Sequence, residues 1–261
     1  MIILFFGDVY GKPGRLILQQ HLPALREEFN VDFCVINGEN LADGKGLTEK
    51  VTRPLWDSGV DVITGGNHLW DRVEAIGYIQ SEARIVKPMN YPLAAPGHRV
   101  CRIERNDMAL SVISFTGQIY MPPCDSPFTA FENFYNMQGE SPEPLLIDFH
   151  AESTAEKRAF GWFVDGKASA ILGTHTHIQT ADEEILPQGT AYITDVGMTG
   201  PHDSVIGVRK QIILEKNRNA VPIRFETSDT GMQVNAVLVD IDALNGFARR
   251  IQRIRRNVEI I

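Results

Sequence analysis

The sequence predicts an α/β protein whose sheets mix parallel and antiparallel strands. In the first third of the chain, short apolar runs alternate with stretches whose apolar residues recur at helical spacing. Further along, pairs of apolar runs flank tight turns, which is typical of antiparallel hairpins. The 261 residues are 43% hydrophobic and 22% charged. Because no unbroken apolar segment reaches ~18 residues, we expect a soluble globular protein without a membrane span.

The first third of the chain is predicted to contain three strands and two helices. The initial strand covers Ile2–Phe6. This apolar run lacks a leading basic region and a cleavage site, so it is not interpreted as a signal peptide. A turn is expected at Gly11–Arg15. The elements that follow are a helix over Leu16–Phe29, a strand at Phe33–Ile36, a helix over Thr48–Ser58 and a strand at Val60–Thr64.

Hairpin turns and a helix cap predict the later elements. Asn106 and Asp107 form a turn between apolar runs at Val100–Ile103 and Ala109–Phe115. Ser153-Thr154-Ala155-Glu156 is a capping box, which opens a helix. The other strands are predicted at Leu145–Phe149, Ala168–Leu172, Glu184–Leu186, Ala191–Thr194 and Gln233–Ile241. Residues 248–256 show no pattern that decides between helix and strand.

We expect residues 1–261 to form a single domain, because apolar residues are spread evenly along the chain. An irregular insertion or small cap is predicted at about 117–144, where five prolines interrupt the pattern. The aromatic residues of this segment could stack on a base, although burial in a small core or at a subunit contact is the favoured interpretation. They are Tyr120, Phe128, Phe131, Phe134 and Tyr135.

Charge and cysteine content exclude several classes of protein. With 25 basic and 33 acidic residues the formal charge is −8, which argues against an extended nucleic-acid surface. The three cysteines lie far apart without C-x-x-C spacing, so we expect reduced thiols and a cytoplasmic location. One basic cluster is expected to be a solvated face of the last element: Arg249, Arg250, Arg253, Arg255 and Arg256.

Metal-ligand side chains follow five of the predicted strands. Taken singly each has another explanation, since Asp8 could cap a helix and Asn67 could belong to a turn. Their recurrence favours one site, because loops at the carboxyl ends of strands converge in α/β folds. Carboxylates, amide oxygens and imidazoles together suit Mn, Fe or Zn. The residues are Asp8, Glu39, Asn40, Asn67, His68, His150, His175 and His177.

More than four such ligands imply two ions. A pair of ions ~3.5–4 Å apart suits phosphoryl chemistry, because it holds both the attacking and the leaving oxygen. A carboxylate can bridge such a pair. The net negative charge is then no obstacle to a phosphate substrate, since the ions supply a local positive field.

Five motifs occur in order: GDVYG, NGEN, GGNH, a single histidine after a strand, and GTHTHIQTAD followed by TDVGMTGP. This order, which extends from Gly7 to Pro201, resembles the calcineurin-like metallophosphoesterases and more narrowly their YmdB-like branch. Two positions depart from the general superfamily pattern, because Tyr10 replaces a histidine and Glu39 an aspartate. The resemblance implies a four-layer α/β/β/α sandwich with mixed sheets and a binuclear metal site at one edge.

The resemblance also implies a set of ligands for two divalent or mixed-valence metal ions, with Fe or Mn favoured. The implied ligands of one ion are Asp8, Glu39, Asn40 and His177. Those of the other are Glu39, Asn67, His150 and His175, so that Glu39 bridges both ions. The amide oxygen of Asn40 would compensate for the histidine that Tyr10 replaces.

His68 is predicted to be catalytic and not a ligand. An imidazole beside a ligand residue can donate a proton to the leaving group, because an expelled alkoxide leaves poorly until it is protonated. The nucleophile would be a hydroxide bound to the metal ions. Asp43 or Asp71 could orient His68, but a capping or solvent-facing role is equally compatible with either acid.

The YmdB-like branch implies a phosphodiesterase that hydrolyses 2',3'-cyclic nucleotides, with 3',5'-cyclic AMP as a further candidate substrate. Two alternatives stay open. The missing first-motif histidine would suit a metal-binding regulatory protein with weak or vestigial hydrolysis, and the same fold would suit a phosphomonoesterase. The expected partner is a small phosphodiester, with no membrane and no extended nucleic-acid surface. A homo-oligomer is left open as the assembly.

Overall fold

Two mixed sheets and six helices make up the part of the chain that the computed structural model describes, residues 1–138 and 143–260. The helices are α1 (Gly11–Phe29), α2 (Glu49–Asp57), α3 (Ile76–Ser81), α4 (Pro127–Gln138), α5 (Thr154–Val164) and α6 (Lys210–Asn219). The strands are β1 (Ile2–Phe6), β2 (Phe33–Asn37), β3 (Val62–Thr64), β4 (Ile85–Val86), β5 (Val100–Arg105), β6 (Met108–Thr116), β7 (Leu145–His150), β8 (Ala170–Thr174), β9 (Glu184–Ile185), β10 (Ala191–Ile193), β11 (Gly200–Pro201), β12 (Met232–Ile241) and β13 (Ala248–Asn257).

The first sheet contains the strands from the N-terminal third. β1, β2, β3 and β4 lie side by side and parallel. β12 completes the sheet on the other side of β1 and runs antiparallel to it, with Leu4 opposite Leu238. β11 and β13 both pair with β12. The parallel strands end at one edge of the sheet, so the loops after β1, β2 and β3 meet there.

The second sheet has the order β5-β6-β7-β8-β10-β9. β6, β7, β8 and β10 are parallel, whereas β5 and β9 are antiparallel at the two edges. The β5–β6 hairpin turns through Asn106 and Asp107, whose φ angles of 50° and 61° are those that a two-residue hairpin turn requires. The register places Thr116, His150 and Thr174 side by side at the carboxyl ends of three strands.

Three buried apolar clusters separate four layers. Leu4 and Phe6 face α1, while the alternate residues Ile3 and Phe5 face the second sheet. On the outer face of the second sheet, side chains pack against α4 and α5 around Phe160. The order is therefore helices, sheet, sheet, helices, which confirms the predicted α/β/β/α architecture. In the described residues, no helix is both long and apolar enough to cross a membrane.

The structure differs from the sequence analysis in three segments. Gly11–Arg15 is not a turn but the first turn of α1, which begins at Gly11. Residues 117–144 are not wholly irregular, because α4 occupies Pro127–Gln138; residues 139–142 of this segment lie outside the described part. Residues 248–256, for which no element was predicted, belong to β13.

The aromatic side chains of α4 lie as expected, whereas the basic side chains of β13 do so only in part. Phe131 and Phe134 are buried and Phe128 packs against them, so a small core is confirmed, although Tyr120 is 90% exposed. The arginines of β13 are mostly exposed, as predicted, but they do not form one face, because alternate residues of a strand point to opposite sides: Arg253 pairs with Glu183 and Arg256 with Glu28 of α1. Arg249 lies 2.8 Å from Asp242.

Candidate metal centre

The predicted ligands meet at the edge where the carboxyl ends of both sheets face each other. Buried polar side chains join the two sheets directly behind this edge. Asn37, the last residue of β2, donates a hydrogen bond of 2.8 Å to Asp148 on β7. Thr64 on β3 donates to the same carboxylate oxygen. The two sheets are thus in register where the loops with the predicted ligands leave them.

Three of the predicted ligands converge on Nε2 of a fourth, His150. This nitrogen lies 3.0 Å from Oε1 of Glu39, 3.1 Å from Oδ1 of Asn67 and 3.1 Å from Nδ1 of His175. Candidate ligand atoms of Glu39, His150 and His175 all lie within 4.8 Å of one another. Glu39 and His150 are buried, and His175 is partly exposed. This grouping matches the second predicted ligand set.

Asp8, Asn40 and His177 form an adjacent group. Oδ1 of Asp8 lies 3.8 Å from Nε2 of His177, and Oδ2 of Asp8 accepts the backbone N–H of His175 at 3.0 Å. Asn40 follows Glu39 directly and donates its amide to the carbonyl of Gly44 at 2.9 Å. All three side chains are buried. Glu39 contacts the first group and is the sequence neighbour of Asn40, and its role as a bridging ligand stays a prediction.

In each histidine of the cluster, one ring nitrogen contacts a residue outside the ligand set and the other faces the other proposed ligands. Nδ1 of His150 lies 2.9 Å from the hydroxyl of Thr174, which itself donates to Asp148. Nδ1 of His177 donates to the carbonyl of Ile206 at 3.0 Å. Nε2 of His175 lies 3.1 Å from Glu152. Such outer partners fix the tautomer of ligand histidines, because they leave the lone pair of the other nitrogen free for a cation.

Two buried oxygens support a cation at this site. Oδ1 of Asp8 and Oδ1 of Asn40 have no hydrogen-bond partner among the described residues. A buried acceptor without a partner is costly, and carboxylates in protein interiors are paired or coordinate metals. The donor set of oxygens and imidazoles therefore fits the metal ions that the sequence predicts.

Burial and neighbouring charges shift the pKa values of the proposed ligands. Burial raises the pKa of Asp8 well above its usual range. Burial would also raise the pKa of Glu39, but the charge and hydrogen bond of His150 lower it to about 2. Although burial opposes protonation of His150, the carboxylates of Glu39, Asp8 and Asp148 raise its pKa to about 9. Burial and the charge of His150 lower the pKa of His175 to about 3.

The backbone has an unusual conformation at two of the proposed ligands and passes close to two others. His175 and His177 have φ angles of 99° and 66°, in the left-handed region that non-glycine residues rarely adopt. Strained residues of this kind persist only where the surroundings hold them, and they concentrate at functional sites. At Gly66, a Cβ atom would collide with the ring of His150 and with Oε2 of Glu39. Glycine is therefore required there for close approach to the ligands.

His68 is placed at the rim of the cluster. Its backbone N–H donates to Oε2 of Glu39 at 3.0 Å, and its Nδ1 lies 2.9 Å from Oδ2 of Asp71. The side chain is 29% exposed, so His68 is partly open to solvent. Of the two acids suggested by the sequence, Asp71 is the one bonded to His68, whereas Asp43 is exposed on the loop after Asn40.

The outer partners Asp148, Glu152 and Thr174 were not predicted as site residues. Asp148 is the charged residue of the strand LLIDFH and lies two positions before His150, on the same face of β7. An aspartate on the inward face of an apolar strand is a signal that could have been used. Glu152 and Thr174 have no comparable signal, because Thr174 meets His150 through the register of β7 and β8, and Glu152 meets His175 only when separate loops pack together.

Comparisons with known proteins cover nearly the whole chain. A family model described as YmdB-like protein matches residues 4–254. A Bacillus subtilis (strain 168) protein named 2',3'-cyclic-nucleotide 2'-phosphodiesterase is 44% identical over 257 residues, covering 98% of this chain and 97% of that protein. The crystal structure of a hypothetical protein from Thermus thermophilus has 37% identity and a TM-score of 0.92, covering 98% and 99% of the two chains. A structure described as a novel phosphatase from Mycoplasma pneumoniae has 33% identity and a TM-score of 0.93, covering 98% and 93%.

Proposed function

Because the chain belongs to the YmdB-like family, we propose that it is a binuclear metal-dependent phosphodiesterase that hydrolyses 2',3'-cyclic nucleotides. The observation that carries this proposal is the convergence of two buried carboxylates and three inward-facing imidazole nitrogens beside a partly exposed histidine. The name of the 44% identical Bacillus protein supports the substrate class. 3',5'-Cyclic AMP is a second candidate substrate.

In this proposal one ion is held by Asp8, Glu39, Asn40 and His177, and the other by Glu39, Asn67, His150 and His175. When bound, such ions supply positive charge to the phosphate and lower the pKa of water. The mixed nitrogen and oxygen donors favour Fe or Mn over Mg. Thr174, Ile206 and Glu152 keep the three imidazoles in the tautomers that ligation requires.

His68 is the proposed proton donor. Asp71 accepts a hydrogen bond from Nδ1–H and so favours the imidazolium form, in which Nε2–H can donate its proton to the ribose oxygen that departs from phosphorus. The backbone bond from His68 to Glu39 ties the donor to the ligand cluster at a fixed distance. We expect His68→Ala to lower turnover by about 10²- to 10⁴-fold without loss of bound metal. A regulatory protein with structural metal ions would show no such separation of turnover from metal content.

The direct test is hydrolysis of 2',3'-cyclic AMP and of bis-p-nitrophenyl phosphate with Mn²⁺. Glu39→Gln is the variant to compare, because it keeps the shape of the proposed bridge and removes its charge. The proposal expects metal-dependent turnover by the wild type, loss in Glu39→Gln and fewer bound ions by elemental analysis. 3',5'-Cyclic AMP is assayed in parallel.

Two outcomes would contradict the proposal. If the wild type binds two ions but hydrolyses no diester, the regulatory alternative is favoured. If p-nitrophenyl phosphate and nucleoside monophosphates are hydrolysed faster than both diesters, the enzyme is a phosphomonoesterase. Glu49→Gln is a suitable control, since Glu49 is exposed and pairs only with Arg53 in the described residues, so its activity should equal that of the wild type.

A further inference from the structure

A buried ion pair lies beneath the loop that holds His175 and His177. Lys157 of α5 and Asp195, which follows β10, are 1% and 0% exposed, and their charged atoms lie 2.6 Å apart. Neither residue is among the predicted ligands. Both face the cluster from the second sheet and its helix layer.

Asp195 binds the loop between the two histidines. One carboxylate oxygen accepts the backbone N–H of Thr176 at 3.1 Å and its hydroxyl at 2.8 Å. The other oxygen accepts the N–H of Gly197 at 2.8 Å. Lys157 adds a bond of 2.7 Å to the carbonyl of Thr174. The pair therefore fixes the residue before His175 and the residue between the two histidines.

The loop needs such support. Both histidines have left-handed φ angles, and each conformation costs on the order of 1–3 kcal/mol. Hydrogen bonds from Thr176 to Asp195 hold the backbone between them, so the two imidazoles cannot relax independently. The bond of Lys157 to Thr174 joins this support to His150 as well, because the Thr174 hydroxyl binds the His150 ring.

Stability alone does not account for a charged pair at this place. Burying two charges carries a desolvation penalty that often equals the gain from their attraction, so apolar side chains of similar volume can replace such pairs without loss. What apolar residues cannot supply is a fixed acceptor for three hydrogen bonds. The specific contribution of the pair is therefore to the geometry of the loop.

We propose that Lys157 and Asp195 are positioning residues, which hold His175 and His177 in the conformation that binds metal. This inference rests on the proposed metal site but not on the proposed substrate. Loss of the pair should weaken metal binding by about 10- to 100-fold, as is usual when outer partners of ligands are removed. The folded state itself should persist.

The test is titration of the metal-free protein with Co²⁺, whose visible spectrum reports the ligand geometry. Lys157→Met removes the charge and keeps the side-chain length. Thr176→Val is a milder variant that removes one hydrogen bond to Asp195 without leaving a buried charge unpaired. We expect weaker Co²⁺ binding and an altered spectrum in Lys157→Met, and about fivefold weaker binding in Thr176→Val.

Asp165→Asn is the matched control. Asp165 is also a buried acid that accepts backbone N–H groups, from Gln188 and Thr190, but it lies at the C-terminal end of α5, away from the cluster. Its variant should lower the unfolding temperature and leave Co²⁺ affinity and spectrum unchanged.

Two results would overturn the inference. One is a Lys157→Met protein that melts earlier, as the control does, but binds Co²⁺ with wild-type affinity and spectrum. The other result applies if Lys157→Met does not fold, and it is unchanged Co²⁺ binding by Thr176→Val. The Co²⁺ titrations contain no substrate. Failure of the wild type to hydrolyse cyclic nucleotides would therefore count against the proposed function and would not affect the comparison of Co²⁺ binding between the variants.

Discussion

At the scale of single residues, the site depends on the absence of a side chain at Gly66 as much as on the ligands themselves. The space that a Cβ atom would need is filled by His150 and Glu39. Because the interior is close-packed, neither neighbour can move without disturbing the cluster. The glycine in GGNH is therefore a packing requirement of the metal centre and not only a turn residue.

Gly66→Ala is expected to lower both metal affinity and turnover by at least about tenfold, because the added methyl group displaces two proposed ligands. Gly77→Ala is the control, since a Cβ atom there meets no atom within 4 Å. That control should keep full activity and stabilise the protein by up to about 1 kcal/mol. Metal titration and calorimetry measure both effects. Wild-type metal affinity in Gly66→Ala would contradict the assigned packing.

The cysteines are expected to be unreactive in the folded protein. Burial raises the pKa of Cys101 to about 11; burial, with the nearby charges of Glu156 and Asp125, raises that of Cys124 to about 11 as well. Burial also raises the pKa of Cys34. Only the thiolate reacts, so labelling by a thiol reagent at pH 7.5 should be slow and should accelerate about tenfold per pH unit up to about pH 11. Fast labelling at pH 7.5 without denaturant would show that the thiols are not held as described.

At the scale of elements, α4 is a helix that the sequence pattern did not indicate, because it lies in a proline-rich segment. Phe131 of α4 is fully buried, with ring centroids 6.2 Å from Phe115 and 6.0 Å from Phe160. Such edge-to-face contacts are favourable beyond the area they bury. α4 is thus part of the outer core of the second sheet.

Phe131→Ala should destabilise the protein by about 3–5 kcal/mol, because it leaves a cavity among aromatic rings. Met137→Ala on the same helix is the comparison: Met137 is 80% exposed, so its removal should change the unfolding free energy by less than about 0.5 kcal/mol. Denaturant unfolding measures both. Equal effects from the two variants would mean that α4 does not pack on the sheet.

Local signals in the sequence predicted most elements and all the proposed ligands. The N-cap half of the capping box is confirmed, since Ser153 accepts the backbone N–H of Glu156 at 3.4 Å, whereas the Glu156 carboxylate accepts the backbone N–H of Gln118. Ligand residues could be predicted because they come directly after apolar strands, where a run of apolar residues gives way to polar residues. Their common location follows from the parallel strand order, which the sequence pattern also indicates.

Several elements that the sequence analysis missed have local signals that conflict with their tertiary context. Pro13 and Pro127 suggested irregular structure, but both lie in the first turn of a helix, where the missing N–H has no intrahelical partner to lose. β13 carries many arginines and forms because β12 supplies a long partner strand. Similarly, the contacts of Glu152 and of Lys157 on α5 form only when segments distant in the sequence pack together.

At the scale of the whole molecule, the proposed ligands come from both sheets. Asp8, Glu39, Asn40 and Asn67 follow strands of the first sheet, and the three histidines lie at the ends of strands of the second. A bound ion would therefore hold together the edges of two sheets built from different parts of the sequence. Ligands that bind only the folded state stabilise it by mass action.

Mn²⁺ at about 100 times its dissociation constant should stabilise the metal-free protein by about 2.7 kcal/mol per independent site. Mg²⁺ should do less, because it prefers oxygen-only ligands. Thermal unfolding with each ion, for the wild type and Glu39→Gln, measures the difference. Equal shifts for Mn²⁺ in both proteins would place the binding ion elsewhere.

The pairing of β1 with β12 has a consequence for synthesis on the ribosome. Leu4 lies opposite Leu238, so β1 cannot pair with its antiparallel neighbour β12 until more than 230 residues have been synthesised. At about 5–20 residues per second this takes on the order of ten to fifty seconds, during which one apolar edge of β1 is unprotected. Nascent chains arrested before Met232 are expected to remain protease-sensitive and to bind chaperones, and completion of the last strands should release them.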